Sequence, residues 1–409
     1  MQEAKFIVKT LVTEGYISYF VGGWVRDFLL NHPSDDIDLA TSAPPEVVES
    51  LFSHTIPIGK AFGIILVIIK NKQYEVATFR RDVEYKDGRR PSKIEFSSPE
   101  IDSQRRDFTI NGMFYDPIKE EIIDFVNGRE DLDKKIIRCI GNPHSRIKED
   151  RLRMIRAIRM SARFNFEIEK ETKRAIIAHA DELFPAVAIE RIIQEITKMS
   201  QYQGFKKALI MLFEYTLLQN IFPALKKLSL DEVKEKLFLV DDFPHRAPVI
   251  VSILELFPKF NLEQKIELCR YLKLSNREIE FVTFLDLGKS YIKDENKVDG
   301  FSWSHFYSNH FFDLVIDILA VHIKAEIRKD FLHIHESRQK KLTPYIDRIK
   351  NNDPIVKSDH LKLCNIKPGI LMGQLLKEAI KISINKNLLD PNKIIDELKK
   401  LKIWPKKSP

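Results

Sequence analysis

The chain has 409 residues, too many for one ordinary core and enough for roughly two to four modules. Lys and Arg number 66 against 59 Asp and Glu, a net charge of +7 and an isoelectric point near 9.0, which favours a polyanionic partner such as nucleic acid. Three widely spaced cysteines, Cys139, Cys269 and Cys364, argue against a disulfide frame or zinc site. The N-terminus has no apolar run, and the most apolar stretch, Phe62 to Ile69, is far short of the roughly 18 residues of a membrane span, so a soluble protein of the reducing cytoplasm is expected.

The first third alternates strand and helix signals. ISYFVGG (Ile17 to Gly23) and IDLA (Ile37 to Ala40) read as strands, and EVVESLF (Glu46 to Phe52) as a helix after the Pro44-Pro45 stop. FGIILVII and YEVATF (Tyr74 to Phe79) read as a buried hairpin. TFRRDVEYKDGRRP, from Thr78 to Pro91, mixes both charge signs with turn formers and reads as a mobile loop. From about Arg146 the apolar period becomes helical, with breaks near Gly141-Asn142-Pro143, Gln201 to Gly204 and Lys293 to Gly300. The reading is α+β: a mixed-sheet head over 1–140, then an all-α neck over 141–203, body over 204–292 and tail over 293–409. The Lys-rich run from Lys377 to Lys407 reads as amphipathic helix, and HIHESR at His333 to Arg338 as a surface helix end.

Chemistry concentrates in FVGGWVRDFLLNHPSDDIDLATSA, Phe20 to Ala43. Alternate strand residues share a side, so Asp36 and Asp38 project together, and two carboxylates so placed call for a cation. Mg²⁺, which takes one or two carboxylates plus substrate phosphates, fits. Gly22-Gly23 lets backbone N–H groups approach an anion, with the start of the next helix pointing the same way. Arg26 either contacts a triphosphate or pairs with Asp27 or Asp35. Glu75 offers a third carboxylate from a neighbouring strand.

VGGWVRDFLL followed by DDIDLATSAPPEVV resembles the signature of the class II tRNA nucleotidyltransferases and bacterial poly(A) polymerases, members of the polymerase-β-like nucleotidyltransferase superfamily. RRDFTINGMFYDP (Arg105 to Pro117), DFVNGREDLDKKIIRCIG (Asp124 to Gly141), EDRLR (Glu149 to Arg153) and ERIIQEITK (Glu190 to Lys198) resemble its later motifs, in order, over the first 200 residues or so. The resemblance implies a template-independent enzyme that adds CCA to tRNA 3′ ends from CTP and ATP. Mg²⁺ would be held by Asp36 and Asp38, with Glu75 beside them in the catalytic set. It further implies a nucleotide site of Gly22, Gly23, Arg26, Asp27, Arg106, Asp107, Asn111, Asp150, Arg153, Arg156 and Arg159. Within it Arg106 would take phosphates, Asp107 and Asn111 the ribose, and Asp150 with Arg153, one helical turn apart, the base edge. A full-length loop after Thr78 favours adenosine incorporation. Gly112, where many relatives have alanine, implies a slightly looser motif. A poly(A) polymerase, an A-adding tRNA nucleotidyltransferase and an RNA-binding protein without catalysis stay open, as does oligomeric state. Lysines after Phe205 would follow an RNA backbone.

Overall fold

The computed structural model describes residues 1–32, 34–85 and 91–405. They form two compact units, Met1–Asp241 and Asp242–Pro409, divided at a point the sequence pattern does not mark.

In the first unit, helix α1 (Gln2–Thr13) buries Ala4, Ile7, Val8 and Leu11, an i, i+3, i+4, i+7 stripe. Strand β1 (Ser18–Val21), helix α2 (Gly23–Leu29) and strand β2 (Asp38–Thr41) follow, then α3 (Pro45–Leu51), β3 (Thr55–Gly59), β4 (Ile64–Ile69) and β5 (Lys72–Thr78). The expected hairpin is present: β4 and β5 pair antiparallel, and Ile65, Val67 and Val76 carry the buried side. Further on lie β6 (Arg80–Tyr85), β7 (Pro91–Phe96), α4 (Pro99–Gln104), β8 (Phe114–Asp116) and β9 (Glu121–Ile123). Seven strands make one mixed sheet in the order β3-β4-β5-β2-β1-β8-β9. β1 runs antiparallel to both β2 and β8, while β2 and β5 run parallel. The register sets Val21 opposite Asp38, which brings the glycine turn and the acidic strand side by side.

The stretch expected as a loop after Thr78 is instead mostly strand, because β6 pairs antiparallel with β7 as a separate ribbon. Six of its twelve residues are charged, and charges meet across the ladder, as in Arg81 and Glu95 at 2.6 Å. The rest of that expectation, residues 86–90, lies outside the described residues.

Beyond the sheet come α5 (Gly128–Asp133), α6 (Pro143–Glu149), α7 (Leu152–Phe164), α8 (Lys170–Ala178) and α9 (Ile189–Ser200). Asn142 caps α6 through the Ser145 N–H at 3.1 Å, with Pro143 in the first turn. α7 buries Leu152, Ile155 and Ile158 on one flank. The α+β head followed by helices is therefore observed as expected.

The second unit is helical. Its larger core gathers Phe281, Phe284, Trp303, Phe306, Tyr307 and Phe311. HIHESR is not a helix end: it lies within the helix Ala325–Lys350. His335 is 3 % exposed, its Nδ1 is 2.9 Å from the Tyr307 hydroxyl, and burial pushes its pKa down to about 4. The Lys-rich tail forms the helices Ile370–Asn385 and Pro391–Leu398, which bury Leu375, Ala379, Ile394 and Leu398.

Candidate active site

A cavity of about 400 Å³ opens in the first unit, between the Gly22 turn, the 105–111 segment and α7. Six arginines (Arg26, Arg105, Arg106, Arg153, Arg156 and Arg159) and three aspartates (Asp38, Asp107 and Asp150) line it, a formal excess of three positive charges. Such a surface attracts a polyanion of nucleoside triphosphate size. Gly22, Gly23 and Asn111 line it as well, so eleven of the fourteen residues expected at the site meet there. Asp27, Asp36 and Glu75 do not line it.

At one end Gly22 adopts φ +72°, a left-handed conformation that suits glycine, and caps α2. A Cβ there would stand 3.6 Å from Asp38 Oδ2 and 3.7 Å from Arg106 NH1, so the bare glycine keeps this corner open. The Asp38 carboxyl is pushed up to about 6, first by burial and then by the negative charges of Asp36 and Glu75, against the pull of Arg106. A carboxylate held this way is one that a cation would relieve. Asp36 is exposed and precedes β2 rather than lying in it, with the buried Ile37 between the two acids. Glu75 is exposed on β5, one residue before Val76, which pairs with Leu39. Among the described residues no three His, Cys, Asp or Glu side chains are grouped as a metal cluster, and the negative charge of Glu75 reaches Asp38. Two carboxylates of hard oxygen donors suit Mg²⁺, which relies on substrate phosphates and water for its other positions.

The middle of the cavity is a braced network. Asp107 accepts from the Phe108 N–H at 2.8 Å and from Asn111 Nδ2 at 3.1 Å, and Arg156 NH2 lies 2.5 Å from its other oxygen. Burial works to raise its pKa, but the Arg156 charge, the Asn111 hydrogen bond and Arg153 prevail and bring it to about 2, so it stays ionised. Arg26 takes the structural option left open by its sequence: Nε and NH2 donate to Asp27 Oδ1 at 2.9 and 2.8 Å, and NH1 donates to Asn111 Oδ1 at 2.5 Å. Asp27 lies behind the cavity wall and braces arginines on either side of it. It is 4 % exposed, and its other oxygen accepts from Arg163 NH2 at 3.1 Å.

At the far end the geometry differs from the expected shared helical face. Asp150 sits in the break between α6 and α7 with φ −145° and ψ 102°, and α7 starts two residues later. Its carboxylate accepts from the Leu152 N–H at 3.1 Å and lies 3.9 Å from Arg191 NH2, and burial raises its pKa against the Arg191 charge. Arg153 makes no ion pair with it. Arg153 NH1 donates instead to the Arg146 carbonyl at 2.6 Å and to Glu149 Oε2 at 3.0 Å. Arg153, Arg156 and Arg159 recur at three-residue spacing on α7, and Arg159 Nε donates to the buried Glu195 of α9 at 2.7 Å.

Sequence reading missed several supports. Asp102 holds Arg105 and Arg106 from three and four positions upstream, a spacing readable on α4. Arg146 donates to the carbonyls of Arg105 (2.5 Å) and Arg106 (2.8 Å), a tertiary contact without a local signal. Gly112 is not loose: an added Cβ would meet Val126 Cγ2 at 2.6 Å and Ile140 Cδ1 at 3.0 Å. Gly112→Ala is therefore expected to lower stability by about 1–2 kcal/mol through overpacking, read as a shifted denaturant midpoint with unchanged slope.

A mixed sheet that presents an acidic strand beside a glycine turn, with a basic cavity closed by the following helices, is the polymerase-β-like nucleotidyltransferase fold. Residues 18–138 match the family described as "Poly A polymerase head domain", and residues 165–228 that described as "Probable RNA and SrmB- binding site of polymerase A". Among curated proteins, the CCA-adding enzyme of Enterococcus faecalis is 44 % identical over 199 residues, 48 % of each chain. That of Bacillus subtilis is 36 % identical over 263 residues, 64 % of this chain and 61 % of that one. A solved structure of the Bacillus stearothermophilus CCA-adding enzyme in complex with CTP superimposes with a TM-score of 0.80 at 27 % identity, covering 97 % of this chain and 96 % of that one. The chain spans about half the length of the curated relatives it matches first. It belongs to the family of class II tRNA nucleotidyltransferases and bacterial poly(A) polymerases.

Proposed function

We propose that the protein adds CCA to tRNA 3′ ends, taking CTP and then ATP, without a nucleic-acid template. The observation that carries this reading is that one cavity of about 400 Å³ is lined both by Asp38 and the Gly22 turn, which suit phosphates, and by Asp150 and Arg153, which suit a base edge. The relatives named CCA-adding enzymes support it.

In this reading Arg106 and the Gly22-Gly23 N–H groups hold the triphosphate, Asp107 and Asn111 orient the ribose, and Asp150 and Arg153 address the base edge. Arg156 and Arg159 add positive charge along α7. Asp36 and Asp38 would hold Mg²⁺, which supplies a lowered pKa for the attacking hydroxyl and charge neutralisation for the departing pyrophosphate. The RNA 3′ hydroxyl forms the new bond to the α-phosphorus as the bond to pyrophosphate breaks, so no protein nucleophile is required. The head, neck, body and tail segments expected from the sequence would divide chemistry, base choice and RNA backbone contact. Three cysteines without disulfides, and no described helix long and apolar enough to cross a membrane, accord with a cytoplasmic setting.

Purified protein incubated with tRNA lacking its terminal CCA, with tRNA lacking only the terminal A, and with unrelated RNA, under CTP, ATP or both, tests the reading. The expected products are C additions from CTP alone on the first tRNA and one A on the second, with unrelated RNA unextended. Long A tails on any RNA would instead mark a poly(A) polymerase.

A further inference from the structure

Asp102 is 1 % exposed and does not line the cavity, yet three groups converge on its carboxylate. Oδ1 accepts from Arg105 Nε at 2.8 Å and from the backbone N–H of Arg80, at the root of β6, at 3.2 Å. Oδ2 accepts from Arg106 Nε at 3.2 Å and from Arg106 NH2 at 2.9 Å. A guanidinium gripped through Nε and one terminal nitrogen has its other terminal nitrogen to present elsewhere. For Arg106 that nitrogen is NH1, 3.7 Å from where a Gly22 Cβ would stand and so in the same corner as Asp38 Oδ2. The guanidinium also lies 5.2 Å from the centre of the Phe114 ring, a second restraint on its plane. Burial favours the neutral acid at Asp102, but the charges of Arg106 and Arg105 outweigh it and the net pKa is lowered, so the clamp stays charged.

We propose that Asp102 is a positioning residue for nucleotide binding, which clamps Arg106 so that NH1 faces the triphosphate end of the cavity and joins that clamp to the root of the β6–β7 ribbon. The proposal rests on reading the cavity as a nucleoside triphosphate site. It predicts a defect confined to the phosphate end, because Asp150 and Arg153 share no partner with Asp102 other than the Arg105 segment.

The test is calorimetric binding of CTP and of inorganic tripolyphosphate, both with MgCl₂, to the full chain, together with steady-state transfer. Asp102→Asn is expected to weaken both ligands about tenfold and to raise KM for CTP by a similar factor. kcat should change far less, and the CTP-over-UTP preference should not change. A merely structural role would lower the active fraction, hence kcat, and leave KM in place. In an Arg106→Ala background the Asp102→Asn change should add nothing, since Asp102 acts through that arginine. If Asp102→Asn fails to fold, Asp102→Glu, which keeps the charge but displaces it by one methylene, should still weaken tripolyphosphate binding. Wild-type affinity in a folded Asp102 variant, or losses that add in the double variant, overturns the proposal alone. Wild-type protein that bound neither ligand would overturn the triphosphate reading and the proposal with it.

Discussion

Asp38→Asn is expected to abolish nucleotidyl transfer, by about a thousandfold or more, and at the same time to raise the melting temperature of the cation-free protein at pH 7.5. The Asp38 carboxyl moves from an ordinary 3.8 to about 6 because it is buried beside Asp36 and Glu75. Folding therefore binds a proton between those two values. Below about pH 4 the acid is neutral in both states and costs nothing. As pH rises toward 6 the unfolded chain ionises freely while the native one resists, and above 6 the full penalty is present. Discounted for partial solvent access, that penalty is about 1–2 kcal/mol, and each kcal/mol moves the transition by about 2–4 °C in a unit of this size. Asparagine has the same shape and no charge, so it removes the penalty together with the chemistry. Mg²⁺ should raise the wild-type melting temperature at pH 7.5, do so less at pH 5, and leave Asp38→Asn unmoved. A variant that melts lower than wild type without cation, or that keeps the whole Mg²⁺ shift, would show that Asp38 neither bears this strain nor binds the ion.

What the sequence made legible follows from the range of the interactions involved. The glycine turn and Asp38 could be paired in advance because apolar strands flank both, and the observed register sets Val21 opposite Asp38. The arginines of α7 were readable because three-residue spacing on a helix is local geometry. The β6–β7 ribbon reads as a loop because charged residues and turn formers interrupt any apolar alternation, while its stability comes from cross-strand partners that no single segment displays. Asp150 was placed inside a helix because its neighbours have helical periodicity. Its own extended backbone interrupts that pattern, and its carboxylate bonds the Leu152 N–H at the start of α7. His335 failed differently: the polar letters of HIHESR point to a surface, while Tyr307 from another helix supplies the partner that lets the imidazole be buried.

The interruption at Asp150 sharpens the expected effect on nucleotide choice. The Arg153 guanidinium is held by the Arg146 carbonyl and Glu149, and the Asp150 carboxylate by the Leu152 N–H with Arg191 nearby, so the acceptor and the donor fork have different side-chain partners. Asp150→Ala should remove the acceptor for the exocyclic amine of cytosine or adenine. CTP-over-UTP preference should then fall about 10–100-fold, with KM for tRNA unchanged. Arg153→Ala should lose selectivity too, but it also leaves Glu149 with one cation fewer and the buried Arg146 carbonyl without that donor, so it should lower stability by about 1–3 kcal/mol as well. The two variants are thus separable: similar errors in incorporation, measured from competing CTP and UTP on one tRNA, but different denaturant midpoints. Unaltered preference in both would remove the protein from the role of template. Preference lost only where the midpoint falls would mean that packing around Arg153, rather than hydrogen bonds to the base, selects the nucleotide.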